Sequence, residues 1–480
     1  MTDVRPAWIA GRPETSEVTV EVTNPYDGSV VGVHSVPTSV QVEEAVAAAW
    51  AVRHEFAATS AALRAEALMH VSRRLTERLE EITELITAEN GKPLMWARAE
   101  ATRAAAVFRL AAEEARRFSG ELQRLDTEAA TAGRTAIIRR FPHGPVLGIA
   151  PFNFPLNLVA HKVAPAIAVG APILVKPAPA TPLSALLLGE LLAETDLPAG
   201  SWSVLPVSNE VAPALVADVR LPIVSFTGSE PVGFAIQKAV PHKHVTLELG
   251  GNATAVVCPD WSSEADLDWA ATRIATFANY QAGQSCVSVQ RVLIDSLLWD
   301  SLVPRIVAQV ESLPTGSPWD EATVVGPLVD EKAAVRVEAW VDEAVAAGAS
   351  LLTGGVRDGA SYSPAVLTDV PADAKVACEE VFGPVLVLVR ADGVDAAFAT
   401  VNESRFGLQT GVFTHDLQVA FRAHAELEVG GVVIGDVPTF RADQMPYGGV
   451  KASGVGREGV RSAMDDFTYE RVLVLTGIAL

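Results

Sequence analysis

Cysteine is scarce in this chain of 480 residues, which contains three, at positions 258, 286 and 378. An odd number without close spacing predicts neither a disulfide framework nor a clustered zinc site, and it suits a reducing cytoplasm. Because the sequence has no metal-binding pattern, we predict no metal, and chemical activation must come from organic groups.

Long apolar runs and an excess of positive charge are missing as well. The most apolar long stretch, residues 158–175, is interrupted by a histidine, a lysine and two prolines, so it predicts no membrane span. The first eight residues have no basic region followed by an apolar run, and we expect no secretory signal and a cytoplasmic location. The net charge of −21 argues against nucleic acid and anionic membranes as partners, although a local pair of arginines can still bind an anionic substrate.

The length and the hydrophobic pattern indicate an α/β protein of two or three domains. Helices are expected across residues 38–118, with a capping box at Thr38–Gln41, one long pattern over 61–88 and another helix over 96–118. After residue 145, apolar runs alternate with helix-length segments, which is typical of parallel sheets covered by helices. The first series comprises 145–150, 173–175, 203–207, 223–226 and 245–249, and the second comprises 253–257, 289–294, 302–310, 335–346, 385–388 and 430–434.

Two further segments predict an assembly element. Residues 121–142 change character and alternate like an extended arm, and residues 469–475 form a short apolar strand that can pair outside its own domain. An exposed apolar strand is normally covered, so we expect a homodimer or a homotetramer.

Three polar side chains supply the groups that acyl transfer needs. Cys286 lies in a loop of Gly, Gln and Ser, which suits an accessible thiol, whereas Cys258 has the pattern of a buried strand residue and Cys378 is ambiguous. Glu248 ends an apolar strand, and Asn153 lies between two phenylalanines and two prolines. Together they offer a nucleophile, a base and an oxyanion donor. Taken singly, each also has a structural interpretation, as an inert cysteine, a solvated carboxylate and a loop-capping amide.

A phosphate-binding turn is expected between Asn153 and Cys286. Residues 223–233 read as a strand, a glycine turn and a helix start, and the free N–H groups after Gly228 and Ser229 favour a pyrophosphate. An ordinary turn capped by Ser229 explains the pattern equally well, and the Gly-x-Gly-x-x-Gly spacing is absent. Lys176 follows an apolar strand and is expected at the edge of the sheet where α/β enzymes bind ligands.

Seven motifs in order resemble the aldehyde dehydrogenase superfamily across nearly the whole chain. They are Pro-Phe-Asn153-Phe-Pro, Val-Lys176-Pro-Ala, Phe-Thr-Gly228-Ser229, Leu-Glu248-Leu-Gly-Gly, Gly-Gln-Ser-Cys286, Glu379-Glu380-Val-Phe382-Gly-Pro384 and Ser453-Gly-Val-Gly-Arg-Glu458-Gly. The resemblance implies an NAD(P)-dependent oxidoreductase that converts an aldehyde to a carboxylic acid.

The resemblance also implies a fold with a Rossmann-like parallel-sheet cofactor domain, an α/β catalytic domain and a small β oligomerisation arm. We therefore predict a cofactor domain of residues 1–120 and 142–249 and a catalytic domain of residues 250–447 that carries Cys286. The arm is predicted to combine residues 121–141 and 468–480.

Catalytic roles follow from the resemblance. The Cys286 thiolate would attack the aldehyde carbon, while Asn153 and the backbone N–H of Cys286 hold the oxyanion. After hydride transfer leaves a thioester, Glu248 would activate water to release the acid. Lys162 and Glu458 would relay or position that proton.

Cofactor contacts are implied in the same way. The resemblance places Lys176 at the adenosine ribose, Ser229 at the pyrophosphate, and Glu380 with Phe382 around the nicotinamide ribose. It adds three further residues to the cofactor site, namely Phe152, Gly228 and Gly250. NAD-preferring relatives often carry a glutamate where this chain has Pro179, so a ribose 2′-phosphate would not be repelled. We predict NAD or NADP as cofactor, with NADP at least tolerated.

The substrate is predicted to be a small aldehyde, anionic or hydroxylated. The late motif from Phe440 to Gly449, together with the segment from Leu156 through His161 to Lys162, is similar to the branch of lactaldehyde, phosphonoacetaldehyde and non-phosphorylating glyceraldehyde-3-phosphate dehydrogenases. Some members of that branch bind an anionic substituent with arginines. Arg103 and Arg441 are the candidates for that role, with Asn157 and Ser285 beside the substrate. Alternatively, Arg103 lies on a solvated helix face and Arg441 makes a structural ion pair. Ser285 stands where some phosphonate-handling relatives carry an arginine, which weighs against the anionic substrate.

Three other functions remain open at this level. A CoA-acylating semialdehyde dehydrogenase would pass the acyl group to CoA, but such enzymes tend to lack the base that Glu248 offers. A cysteine hydrolase would need an activating histidine, and none lies near Cys286 in the sequence. A non-catalytic dinucleotide-binding protein would not need Cys286, Glu248 and Asn153 together.

Overall fold

The predicted α/β fold is confirmed by a computed structural model that describes residues 4–478. Two largely parallel sheets are packed with helices, and a small antiparallel sheet is separate from both. Within residues 4–478, no helix has the length and apolar character needed to cross a membrane. Over the same range, no group of three or more His, Cys, Asp or Glu side chains is placed to hold a metal ion.

The larger sheet presents the carboxyl ends of its central strands at one edge. In spatial order its strands are Gly454–Val455, His244–Glu248, Ile223–Thr227, Val146–Ile149, Ile173–Lys176, Trp202–Val204, Ala7–Ile9 and Arg12–Glu14. The strands from His244–Glu248 to Trp202–Val204 run parallel, and the outer ones pair antiparallel. The helices that follow these strands are Asn157–Val169, Leu183–Ala193, Ala212–Ala217 and Glu230–Ala239. Parallel strands bring Lys176 and Glu248 to the same edge, where such sheets bind ligands.

The smaller sheet carries the segment that contains Cys286. In spatial order its strands are Ser350–Thr353, Ala365–Thr368, Val385–Ala391, Arg291–Asp295, Thr254–Val257, Gln409–Phe413 and Gly431–Ile434. All pair in parallel except the first two, which pair antiparallel. The helices of this part are Glu264–Asn279, Trp299–Glu311, Glu331–Ala346, Lys375–Cys378, Val394–Asn402 and Leu417–Glu426. Cys286 lies in the connection between Glu264–Asn279 and Arg291–Asp295, and Cys258 is buried, as its pattern predicts.

The N-terminal helices agree with the sequence except at one break. They are Ser39–Ala58, Ala61–Glu77, Leu79–Asn90 and Leu94–Arg117, and the capping box between Thr38 and Gln41 is present. The prediction of one continuous pattern over 61–88 was wrong, because Arg78 leaves the helical conformation (φ −102°, ψ 23°) and separates two helices. Leu75 before the break and Ile82 after it are buried in the same core, so the break lets both apolar faces pack there.

Residues 4–35 contain strands that the sequence pattern did not reveal. Val4–Arg5, Thr19–Thr23 and Val30–Ser35 form a small sheet, and Ala7–Ile9 joins the larger sheet beside Trp202–Val204. Val4–Arg5 and Ala7–Ile9 have two and three residues, too few to show a period of two, whereas Thr19–Thr23 and Val30–Ser35 were missed despite lengths of five and six residues. Residues 1–3 of the predicted cofactor domain lie outside the described residues.

The predicted arm segments pair with each other. Thr468–Thr476 lies antiparallel to Arg134–Pro142 over nine residue pairs, and Glu121–Arg124 extends the same sheet. Residues 479–480 of the predicted arm lie outside the described part. Helix Val460–Asp466 and strand Gly454–Val455 precede this strand, and the latter pairs with the end of the larger sheet. The division into three domains stays a prediction.

Candidate active site

A cleft of about 1210 Å³ runs along the carboxyl edge of the larger sheet and reaches the Cys286 loop. Sixteen of the seventeen predicted site residues line it: Arg103, Phe152, Asn153, Asn157, Lys176, Pro179, Gly228, Ser229, Glu248, Gly250, Ser285, Cys286, Glu380, Phe382, Arg441 and Glu458. The remaining residue, Lys162, lies behind the wall, with its Nζ 4.0 Å from Glu458 Oε1. The fold therefore brings together residues that are up to 355 positions apart, from Arg103 to Glu458.

The Cys286 thiol is half-buried at the wall of this cleft. Gln281 and Ala282, just before it, adopt left-handed backbone angles (φ 52° and 53°), which turn the chain from the preceding helix towards the cleft. The Cys286 Sγ lies 3.1 Å from the hydroxyl oxygen of Tyr447. Burial raises the pKa of the Cys286 thiol to about 12, and the hydrogen bond with Tyr447 opposes that rise. The thiol is thus far less exposed to solvent than its polar loop suggests.

Glu248 ends its strand inside the cleft with an unengaged carboxylate. Within residues 4–478, neither carboxylate oxygen of Glu248 has a hydrogen-bond partner, although both are buried. Burial, followed by the charge of Glu458, raises the pKa of Glu248 well above its usual value. A carboxyl with a raised pKa holds its proton more firmly than usual and becomes a stronger base once it is deprotonated.

Lys162 and Glu458 form a buried charged group next to Glu248. Lys162 donates hydrogen bonds to Ser225 Oγ at 3.1 Å and to Thr227 Oγ1 at 2.8 Å. Burial lowers the pKa of Lys162, and the charge of Glu458 opposes that effect. Burial alone would raise the pKa of Glu458, but the charges of Arg441 and of other neighbours lower it overall.

Asn153 connects the loop after the first parallel strand to the Cys286 loop. Its Nδ2 donates a hydrogen bond of 2.9 Å to the backbone carbonyl of Gln284. Its own backbone carbonyl accepts hydrogen bonds from Lys92 and Gln281. Since an amide nitrogen carries two hydrogens, one remains for a group bound in the cleft.

The end of the cleft beside helix Glu230–Ala239 has the features of an anion site. Ser229 precedes this helix, but its side chain makes no capping hydrogen bond in the described structure, so the interpretation of Ser229 as an ordinary cap is wrong. Pro231 lies in the first turn, where its missing N–H costs the helix no hydrogen bond, and the uncapped N–H groups of such a terminus attract phosphate. Lys176 donates a hydrogen bond of 2.8 Å to Asn209 Oδ1, and burial lowers its pKa to about 8. Pro179 is exposed beside it.

Another part of the cleft is formed by Gly250, Glu380 and Phe382. Glu380 accepts a hydrogen bond of 3.0 Å from the backbone N–H of Gly251, and burial raises its pKa to about 7. A Cβ on Gly250 would lie 2.3 Å from Glu380 Oε2, so any other residue would displace the Glu380 carboxylate. Phe382 adopts a left-handed backbone (φ 48°) and packs edge-on against Phe152, with ring centroids 5.8 Å apart.

The two predicted substrate arginines line the cleft, and each is paired with a carboxylate. Arg103 makes a two-pronged contact with Asp443, at 2.6 and 3.2 Å. Arg441 donates to Glu458 at 3.0 Å and lies 3.3 Å from His161 Nε2. The Nε of Arg441 is buried without a partner among the described residues.

Sequence reasoning missed several residues of this wall. Tyr447 contacts Cys286, and His161 bonds to Asp443 at 3.0 Å across 282 positions of sequence. Lys92 and Glu100 form a buried ion pair behind Asn153. Tyr447 and His161 lie within motifs that resemble the family, which was the available signal, whereas Lys92 and Glu100 showed none.

The family model described as the aldehyde dehydrogenase family matches residues 12–473, and the chain belongs to this family. It is 40% identical over 470 residues to a 3-sulfolactaldehyde dehydrogenase of Priestia aryabhattai, covering 98% of this chain and 97% of the relative. It is also similar to the crystal structure of aldehyde dehydrogenase 21 from Physcomitrella patens with the reaction product succinate, at a TM-score of 0.97, 43% identity and coverage of 100% and 99%. An NADP-dependent glyceraldehyde-3-phosphate dehydrogenase from Bacillus halodurans, complexed with NADP, aligns at a TM-score of 0.95, 34% identity and coverage of 99% and 100%.

These findings confirm the predicted superfamily, its branch and its fold. The prediction of an NAD(P)-dependent aldehyde dehydrogenase is confirmed as well.

Proposed function

We propose that this protein oxidises a small anionic aldehyde to a carboxylic acid, with NAD or NADP as the oxidant and water as the acyl acceptor. The observation that carries this proposal is the shared cleft, in which Cys286 and Glu248 lie with Arg103 and Arg441. The first pair supplies a nucleophile and a base, and the second supplies cationic groups for an anionic substituent.

The residues of the cleft account for both halves of the reaction. The Cys286 sulfur bonds to the aldehyde carbon, and the resulting oxyanion accepts hydrogen bonds from Asn153 Nδ2 and from the Cys286 backbone N–H. The nicotinamide of a cofactor held by Glu380 and Phe382 would supply the hydride acceptor, and loss of the hydride from this adduct would leave a thioester on Cys286. Glu248 then takes a proton from the attacking water, the C–S bond breaks, and the thiolate is regenerated. Lys162 and Glu458 pass on or position the proton that Glu248 receives.

The polar groups that line the cleft suit a bound dinucleotide. The free N–H groups at Ser229 suit the pyrophosphate. Lys176 suits the adenosine ribose, and Glu380 with Phe382 suits the nicotinamide ribose. Gly228, Gly250 and Phe152 complete this side. Because Pro179 supplies no carboxylate, a ribose 2′-phosphate meets no repulsion there, and we infer that NADP is accepted.

The substrate class is inferred from the arginine wall and from relatives. Arg103 and Arg441 line the cleft although each already has a carboxylate partner, and the unpartnered Nε of Arg441 can donate to an anion. One relative is named for 3-sulfolactaldehyde, one solved structure is named for glyceraldehyde 3-phosphate, and another contains succinate. All three molecules are anionic. Asn157, whose Oδ1 has no partner within residues 4–478, and Ser285 complete the substrate end.

The experiment compares an anionic aldehyde, such as succinic semialdehyde, with a neutral aldehyde of similar length, in the presence of NAD and of NADP. Arg441→Ala should raise the Michaelis constant for the anionic aldehyde by about tenfold or more, since a hydrogen bond to a charged group contributes about 1.5–3 kcal/mol. The neutral aldehyde should show a much smaller change. Equal effects on both aldehydes would contradict the anionic substrate.

The control is Arg98→Ala on the same helix as Arg103. Arg98 is partly exposed and pairs with Glu80 outside the cleft, so both Michaelis constants should stay unchanged.

The position of Glu248 also bears on the rival functions. An unengaged carboxylate in the cleft favours water as acceptor, and a product assay with and without CoA tests this. A cysteine hydrolase needs a histidine paired with the thiol, whereas among residues 4–478 the Cys286 sulfur has Tyr447 as its hydrogen-bond partner. Aldehyde-dependent reduction of NAD(P) excludes both a hydrolase and a non-catalytic role.

The domain division and the oligomer are part of the proposal. Val472, Leu473 and Val474 of the C-terminal strand are exposed on both faces of the arm sheet. Exposed apolar strands are normally covered, and we propose that a second copy of the chain covers them in a dimer or tetramer.

A further inference from the structure

Tyr447 lines the cleft and directly contacts the sulfur of Cys286. Its hydroxyl oxygen lies 3.1 Å from Cys286 Sγ, within hydrogen-bonding range for sulfur. Tyr447 is 5% exposed and packs with Val287 and Leu408, so the phenol is held in place by apolar contacts.

A cation lies on the ring of the same tyrosine. The guanidinium carbon of Arg441 is 3.9 Å from the Tyr447 ring centroid, and Arg441 is held there by Glu458 at 3.0 Å. A cation over an aromatic face draws electron density from the ring, so the phenolic O–H becomes a stronger donor. The Tyr447 hydroxyl therefore contacts the sulfur, while Arg441 on the ring face makes it a stronger hydrogen-bond donor.

The direction of the hydrogen bond decides its effect. A thiolate has no proton to give and must accept, whereas a thiol could donate to the phenol. Burial and the contact with Cys286 keep the pKa of Tyr447 well above its usual value, so the phenol retains its proton when the sulfur becomes charged.

We propose that Tyr447, with Arg441 stacked on its ring, is the hydrogen-bond donor that stabilises the Cys286 thiolate before it attacks the aldehyde. This inference rests on the proposed role of Cys286 as nucleophile. On deprotonation the thiol proton passes to water, and the Tyr447 O–H then donates to the charged sulfur. Loss of this bond leaves a less populated but intrinsically more reactive thiolate.

The charged and titratable groups around the thiol act in both directions. Burial first, and then the charges of Glu380 and Glu248, raise the pKa of Cys286, whereas Tyr447 and Arg441 lower it.

The test measures alkylation of Cys286 by iodoacetamide against pH in the full-length protein, where a C–S bond forms and iodide leaves. Tyr447→Phe should slow alkylation at pH 7 by about tenfold or more, because a hydrogen bond to a charged group is lost. At high pH the rate should level off at or above that of the unsubstituted protein. A merely structural role for Tyr447 would not produce this crossover.

Two controls separate the donor from its surroundings. Tyr362→Phe makes the same chemical change in a buried tyrosine that does not line the cleft, and it should leave the alkylation profile unchanged. Background from Cys258 and Cys378 is removed by subtracting the profile of Cys286→Ala.

Thiolate absorbance in the ultraviolet provides a second measurement that does not depend on access of the reagent. Tyr447→Phe should shift the absorbance titration of Cys286 to higher pH. An unchanged titration, or faster alkylation at pH 7, would overturn the inference. Cys286→Ala tests the proposed function separately, because retention of aldehyde oxidation in that variant would refute the nucleophile whatever Tyr447 does.

Discussion

Lys92 donates a hydrogen bond of 2.7 Å to the backbone carbonyl of Asn153, so a buried cation holds the candidate oxyanion donor in place. Lys92 is itself paired with Glu100, and neither side chain is exposed to solvent. Glu100 in turn accepts hydrogen bonds from the backbone N–H groups of Leu156 and Asn157. The loop that carries Asn153 is thus fixed on both sides by one ion pair.

Lys92→Met should destabilise the protein by about 3–5 kcal/mol, because it leaves the Glu100 carboxylate buried without its cation. The double variant Lys92→Met/Glu100→Gln should recover part of this loss. Denaturant unfolding of both variants measures the difference. In the exposed pair of Arg98 and Glu80, Arg98→Met should cost about 1 kcal/mol or less.

If the double variant is as unstable as Lys92→Met alone, the isolated charge is not the cause of the loss.

Asn153→Ala should lower kcat by about 10²–10³-fold through the loss of one oxyanion donor. The Michaelis constant should change much less, because the oxyanion forms only as the reaction proceeds. Stopped-flow measurement of the first NAD(P)H formed assigns the loss to the attack and hydride-transfer half of the reaction. A loss confined to the Michaelis constant would mean that Asn153 only contacts the bound substrate.

Glu248→Gln should separate the two halves of the reaction. Hydride transfer does not need the base, so we expect one equivalent of NAD(P)H per active site in a rapid burst. Steady-state turnover should then fall by about 10²–10⁴-fold, because the thioester waits for unactivated water. A variant with full steady-state turnover would contradict the role of Glu248 as base.

The rate of thioester hydrolysis should rise with pH. Burial and the Glu458 charge raise the pKa of Glu248, so the carboxyl acts as a base only as pH rises through that raised pKa. Single-turnover measurements of acid release at several pH values test this dependence. In Glu248→Gln the same rate should lose the dependence that Glu248 provides.

Pro179→Glu should weaken the use of NADP while sparing NAD. A carboxylate near the ribose 2′-phosphate repels it by on the order of 1–4 kcal/mol, and we expect the Michaelis constant for NADP to rise by about tenfold or more. Pro179→Gln, which has the same size without the charge, is the matched control. A strong preference of the unsubstituted protein for NAD over NADP would contradict the premise.

Much of the fold was predictable because long elements repeat their pattern many times. The parallel strands Ile223–Thr227 and His244–Glu248 appear as apolar runs at nearly the predicted positions. The helix break at Arg78 and the strands Val4–Arg5 and Ala7–Ile9 were missed, because a segment of one to three residues shows too little periodicity to be recognised.

The sequence by itself determined the α/β class, the family and sixteen of the residues that line the cleft, because these depend on local patterns and on motifs of adjacent residues. Only the tertiary structure decided how those residues meet. Arg441 contacts Glu458, His161 and the ring of Tyr447, and Tyr447 contacts Cys286, across separations of up to 280 positions. Burial of Cys286 and of Glu248 raises the pKa of each group. That burial depends on how the two sheets pack around the cleft, which no local sequence pattern encodes.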